Sequence, residues 1–539
     1  MKISISRLFI IVLFILLPAL ALQGCLYSSE PAQVVPVVEE PAVEIDFPAV
    51  SPTAPAAPTR GRFTLRYDSS SELNPITSQS SDNILLSSLM YESLFILDSN
   101  LSVKPVLCES WANEDEYTYL FKLRPDIAMN DGSLLTAEDV VYTYKQAMRT
   151  GRFVNRLRII DSVTVADDLT VRIELNASNS RFINLLDVPI IKDGSIDSAI
   201  PPGTGPYIFS ETPNIRLNSF TMYRDFAKLP VLTIYLIECD NNEMAELFDD
   251  GVISLLWDDP SDSFDIRLNR LHEKLYYETT ALQFLGFNMR SVALRDPDVR
   301  RAIGCAIDRQ YITEYIMPRQ ALASTLALSP AYRLYDITWE RTILDPLKEM
   351  AFHLNYAGLQ DFNDDSYLEY PDGSGGYYSF SIDFIVNSEN IHKIQVADMI
   401  AETLRRNGID ITVRELPPER FMEALQTGNF DMYYGEIILS ADFNLSPLLL
   451  PGNLNYGNTG DYEYEQHVSN FLFATTDVGE RAAAKRLCEE ITRNAPFVPI
   501  LYKKYVIYMP MGAFTGAAPS QSGVFCNITD WTIDFTMLS

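Results

Sequence analysis

The chain has 539 residues, 47% of them hydrophobic and 21% charged, with a formal net charge of −30. Single cores stop growing at roughly 250–300 residues, so this length calls for two or more lobes. So acidic a chain is a poor match for nucleic acid, whose phosphates need basic surface. The excess is that of a solvated, soluble face.

The N-terminus reads as an export signal. Lys2 and Arg7 precede an apolar run over residues 8–22 that is broken only by Pro18. The run is shorter than the ~20 residues of a membrane-spanning helix and suits a cleaved signal peptide. It ends in Leu22-Gln23-Gly24-Cys25, which resembles the lipobox of bacterial lipoproteins, with Cys25 as the lipidated first mature residue. Residues 25–60 are rich in Pro, Ala, Val and Glu and read as a disordered tether.

Further along, residues 62–67 alternate like a strand, and residues 82–97 carry helix-periodic Ile84, Leu85, Leu89, Leu94 and Phe95. Residues 117–123 alternate again, before the turn Asn130-Asp131-Gly132. Thr136 and Asp139 form a capping box that opens a helix striped with Val140, Val141, Tyr144 and Met148. Gly203-Thr204-Gly205-Pro206-Tyr207 is a rigid turn into a strand. Asp296-Pro297 opens another helix, with Val299, Ile303, Ala306 and Ile307 buried. Residues 386–413 read strand, helix over 391–407, Gly408 as terminator, strand. This alternation predicts α/β lobes.

Five cysteines follow Cys25 without CxxC spacing, which argues against a zinc site. Cys305 and Cys488 read as small buried hydrophobes, while one disulfide among the others is open. His272, His353, His392 and His467 fall into no zinc spacing, and no GxSxG, Walker A or Rossmann glycine fingerprint occurs. No metal, cofactor or catalytic group is therefore expected. Asp361, Asn363, Asp365, Glu369 and Asp372 echo a calcium loop, but Ser366 replaces its glycine and Asp372 its long glutamate, so a solvated loop is the expectation.

Several motifs recur in one order: Leu73-Asn74-Pro75; Tyr91-Glu92-Ser93-Leu94-Phe95; Glu109-Ser110-Trp111; Asn130-Asp131-Gly132 through Val140; Gly203 to Tyr207; Phe287-Asn288; Asp298-Val299-Arg300-Arg301-Ala302-Ile303; Ala306-Ile307-Asp308-Arg309; and Ala495-Pro496-Phe497-Val498-Pro499-Ile500. With this order the chain resembles the family 5 solute-binding proteins of ABC importers. The resemblance implies a two-lobed α/β periplasmic-binding-protein-like fold (type II, cluster C) with an extra subdomain in the first lobe. On that pattern, residues 1–24 are the signal peptide, and residues 61–94, 201–287 and 497–539 build lobe I. Residues 95–200 form the extra subdomain and residues 288–496 lobe II.

The family pairs an aspartate of the second lobe with the ligand's α-amino group, in an aromatic-x-Ala-Asp-aromatic-x-x-Pro segment. The matching stretch runs from Leu439 to Pro447, so Asp442 resembles the amine anchor. The tryptophan usual before the Ala-Asp pair is absent; Ile438-Leu439 stands there. An ammonium leaving water needs such a charge partner. By the same resemblance, backbone near Ser440, Ile438, Ser80 and Ser81 pairs with the ligand main chain. The implied function is capture of an oligopeptide or similar small solute by a monomeric, lipid-anchored protein outside the cytoplasm, for delivery to an ABC permease. The alternatives are a peptide-signal sensor on the same fold and a surface hydrolase.

Overall fold

The structure is a computed structural model that describes residues 61–538, apart from 261–265, 373, 453 and 458–461. The signal peptide, Cys25 and the tether lie outside the described residues. The described residues form one compact unit, built around cores that belong to two lobes.

In the first lobe, strand Thr64–Arg66 runs parallel to Thr233–Ile237, and Arg216–Ser219 and Tyr207–Ser210 extend the sheet antiparallel. A second, antiparallel sheet orders Cys108–Asn113, Thr118–Leu123, Thr170–Leu175 and Ile160–Asp167. It shares one continuous core with the first, through Phe63, Phe121, Tyr144, Phe182, Tyr207 and Ile234. The capping box forms: Asp139 Oδ2 accepts the Thr136 amide at 2.9 Å, and helix Ala137–Ala147 follows.

The helix expected over residues 82–97 is shorter in the structure. It spans Ser81–Met90 and stops where Tyr91 turns extended. The cause is a contact the periodicity does not record. The Gly205 amide donates to Met90 O at 3.0 Å, and a Cβ on Gly205 would stand 2.3 Å from the Met90 carbonyl carbon. This close approach requires glycine at 205 and draws the chain out of the helix. Phe95–Leu97 then pairs as a strand with Val103–Pro105.

The second lobe is a strand–helix–strand unit. Ser381–Asn387 lies parallel to Asp410–Leu416 on one side and to the start of Met432–Ile438 on the other. Helix Ile391–Arg406 connects the first two; Asn390 caps its start, accepting the Lys393 amide at 3.0 Å, and Gly408 (φ 82°) ends it. Asp296 caps helix Pro297–Cys305 by accepting the Asp298 amide at 2.8 Å. Cys488 is buried and Cys305 packs at the edge of the core; all five described cysteines are free thiols.

Two long strands join the lobes. His272–Phe287 and Phe497–Pro510 pair antiparallel along almost their whole length. Their outer halves hold Leu256–Asp258, and their inner halves hold Met432–Ile438 and Ala321–Ala323. The ladder breaks between Glu278 and Leu282. Tyr277 and Ile507 belong to the first lobe's core, while Leu282, Phe284, Phe497 and Tyr502 belong to the second's. The core thus changes near residues 279–281 and 502–503, before the border expected at 288 and beyond the one expected at 496.

Candidate functional site

Strand Met432–Ile438 ends where the lobes meet. The Leu439 amide donates to Thr280 O at 3.1 Å, so the odd-numbered residues of this strand exchange bonds with the hinge strand. The even-numbered residues turn their backbone groups to the opposite side. There Ser381–Asn387 pairs only with Met432 and Tyr433. Among the described residues, the edge at Glu436 and Ile438 is therefore left without a strand partner on that side. The Ile438 side chain is exposed.

Beyond this edge the chain makes a tight turn. Phe443 adopts φ 54° and its amide returns to Ser440 O at 2.8 Å. The turn drives Asp442 inward, where it is 2% exposed. Its Oδ1 accepts from Ser440 Oγ at 2.5 Å and from the Asn444 amide at 3.3 Å. Its Oδ2 accepts from Asn179 Nδ2 at 2.8 Å. A carboxylate offers about four acceptor positions, so Asp442 keeps capacity for a further donor.

Asn179 belongs to a segment of the first lobe that docks on the second. Beside it, the Ser180 amide donates to Leu472 O at 2.9 Å, and Asn184 Nδ2 to Ala441 O at 3.0 Å. Arg181 is almost fully buried; its Nε donates to Asp442 O at 3.3 Å, its Nη2 to Phe471 O, and its guanidinium lies on the Phe471 ring. Burial holds the Arg181 pKa below the usual guanidinium value, against the pull of the nearby Asp442 and Glu480. Sequence reasoning missed Asn179, Arg181 and Asn184. They sit in a polar stretch between two apolar runs, and nothing in it announces a partner 263 residues away.

The structure places Ser80 and Ser81 at the start of helix Ser81–Met90. Ser80 is its N-cap, its hydroxyl accepting the Asn83 amide at 3.5 Å, and Ser81 is exposed. Among the described residues no hydrogen bond joins either serine to the segment 438–442.

A chain of charges crosses the hinge. Lys503, on the second hinge strand, is 3% exposed and stands 2.5 Å from Asp259 and 2.7 Å from Glu436. Glu436 also meets Lys393 at 2.8 Å and accepts Gln283 Nε2 at 3.0 Å. Burial alone would raise the Glu436 pKa, but Lys393 and Lys503 hold it far below the usual carboxylate range. Burial would likewise lower Lys503, and Glu436 and Asp259 instead lift it well above the usual lysine value. Opposite charges taken out of water together stay ionised in this way.

In the acidic loop, carboxylate oxygens of Asp361, Asp365 and Glu369 gather within 4.8 Å of one another. These three could hold a cation. Their oxygens already serve the loop's own backbone: Glu369 Oε2 accepts the Phe362 amide at 2.9 Å, and Asp361 accepts the amides of Asp365 and Ser366. Asp372 turns away to the amides of Ser374 and Gly376.

Similarity to known proteins agrees with this architecture. The glutathione-binding protein GsiB of Salmonella paratyphi A is 24% identical over 494 residues, covering 85% of this chain and 91% of GsiB. The unliganded open form of MppA, a periplasmic murein tripeptide binding protein, superposes with a TM-score of 0.72 at 16% identity, over 88% of this chain and 97% of MppA. The oligopeptide-binding protein AppA of Bacillus subtilis, in complex with a nonapeptide, gives 0.62 at 20% identity, over 88% and 98%. No described helix is long and apolar enough to cross a membrane. Residues 102–455 match the middle region of the bacterial extracellular solute-binding proteins, family 5, and the chain belongs to that family, the solute-capturing components of ABC importers.

Proposed function

We propose that the solute is a peptide or peptide-like compound with a free α-amino group, held between the lobes and passed to the permease. The observation that carries this reading is the continuity of two features. The open backbone edge at Glu436 and Ile438 leads through Ser440 to a buried carboxylate, Asp442. An extended main chain laid on the edge gains strand-type hydrogen bonds that ignore side-chain identity. Its terminal ammonium, stripped of water, gains a charge-assisted bond to Asp442. The ligands of similar proteins point the same way, since glutathione, a murein tripeptide and a nonapeptide all present peptide bonds. The chain acts as a binding protein without catalysis of its own, lipid-anchored outside the cytoplasm through Cys25.

The test is mass spectrometry of ligand carried through purification, paired with calorimetry on Asp442→Asn. A charge-assisted hydrogen bond contributes about 1.5–3 kcal/mol, so free-amine peptides should lose on the order of 10- to 100-fold in affinity. N-acetylated peptides should lose far less. Equal losses for both classes would remove Asp442 from the anchoring role.

A further inference from the structure

The second lobe carries an aromatic surface that its own core does not use. Strands Glu369–Pro371 and Tyr377–Ser379 pair as a two-stranded sheet apart from the lobe's main sheet. Glu369 is buried and Tyr370 packs against the lobe's core, while all of Tyr377–Ser379 is exposed. Helix Pro346–Tyr356 leads into this hairpin. Six large rings within residues 352–378 are exposed by 43% or more: Phe352, Tyr356, Phe362, Tyr367, Tyr377 and Tyr378. Four of them stand in stacked pairs, Phe352 with Tyr356 at 6.1 Å between centroids and Phe362 with Tyr377 at 6.0 Å. A single exposed ring is ordinary. So many in one short stretch mark a surface that another molecule covers.

Charge decides which molecule. Residues 349–392 contain no lysine or arginine, and Asp361, Asp364, Asp365 and Asp372 are exposed in the same stretch as the rings. Several exposed carboxylates elsewhere in the lobe have basic partners: Asp345 has Lys348, Glu402 has Arg406 and Glu423 has Arg420. The shortage of positive charge is thus concentrated where the rings are bare. We propose that this face docks a basic, arginine-bearing segment of another polypeptide. A guanidinium lies flat on a ring while its N–H groups donate to a carboxylate, so one side chain answers both features. A lone metal ion would use the carboxylates and leave the rings bare. A neutral glycan would do the opposite, and an anionic lipid surface would be repelled. The surface owes nothing to Asp442 and stands apart from the reading of the solute.

Fluorescence anisotropy with a nonaarginine peptide tests this on the full chain at low salt, where surface charge is least screened. The peptide is blocked at both ends, so it offers Asp442 no free terminus. The ring variant is Phe362→Ser with Tyr377→Ser, and the charge variant is Asp364→Asn with Asp372→Asn. Glu402→Gln with Glu423→Gln removes the same charge from the same lobe and serves as control. The wild type should bind the peptide. The ring and charge variants should each bind about fivefold more weakly, and the control should stay within about twofold of wild type. A control that loses as much as the charge variant would reduce the attraction to net charge and overturn the proposal. A folded ring variant with undiminished affinity would do the same, as would a wild type that does not bind. Should the ring variant fail to fold, the charge variant against its control decides alone. Binding of chitotetraose or of phosphatidylglycerol vesicles that the ring variant abolishes would give the rings to a sugar or a lipid, and would also overturn it.

Discussion

The side-chain amide of Asn179 donates to the Asp442 carboxylate across 2.8 Å, from a different lobe. The bond holds only while the two lobes are in contact, and its acceptor is charged. Asn179→Ala should therefore weaken closure by about 1.5–3 kcal/mol. Small-angle scattering should show a larger radius of gyration for the variant than for the wild type. An unchanged radius would mean that the bond contributes nothing to the approach of the lobes.

Lys503 sits between two carboxylates, those of Asp259 and Glu436. Lys503→Met should destabilise the fold by about 3–5 kcal/mol, the cost of leaving buried charge uncompensated, as read by chemical denaturation at neutral pH. Glu436 supplies the pH signature. Its folded pKa lies below its unfolded value of 4.5, so its contribution is fully present above that value and is lost as pH falls beneath it. Wild-type stability should decline below about pH 5 more steeply than that of Glu436→Gln. Parallel slopes for the two proteins would contradict the ion-pair account.

Arg300 explains why two distant motifs travel together. Its guanidinium donates to the carbonyls of Leu294 and Arg295 before its helix, and of Asn494 and Ala495 at the end of helix Asp477–Asn494. It thereby satisfies carbonyls that the helix end leaves orphaned. Burial pulls its pKa down to about 10, so it stays charged at neutral pH. Arg300→Met should cost at least about 2 kcal/mol, since several carbonyls lose a charged donor. A melting temperature within a degree of wild type would show that water replaces the guanidinium.

Gly286 lets an aromatic ring lie flat across the first hinge strand. A Cβ there would stand 2.1 Å from the Tyr433 ring, and Tyr433 is itself packed edge-on against Phe284 and Phe430. Gly286→Ala should destabilise the second lobe by about 1–3 kcal/mol, the usual cost of overpacking. Denaturation that begins in the first lobe, unaffected by the substitution, would count against this packing role.

Local signals in the chain were readable because they are made by neighbours. The Thr136–Asp139 box, the Asp296 cap and Gly408 each act within a few residues, and each forms as expected. The end of helix Ser81–Met90 was not readable, because Gly205 decides it from far along the sequence. The same holds at the site. Asp442 stood out by its motif, but its partners Asn179 and Arg181 carry no local mark. The family resemblance put backbone near Ser80 beside the ligand, while the Ser80 hydroxyl serves as a helix cap, a local role that the sequence reading did not give it.

The two hinge strands are bonded to each other on both sides of the break at residues 279–281. A linkage of this kind behaves like the spine of a book. It bends readily about the line where the ladder is interrupted, while sliding or twisting would tear bonds on either side. The covers therefore meet in one alignment each time they shut, and groups held on opposite covers need no search to find their partners.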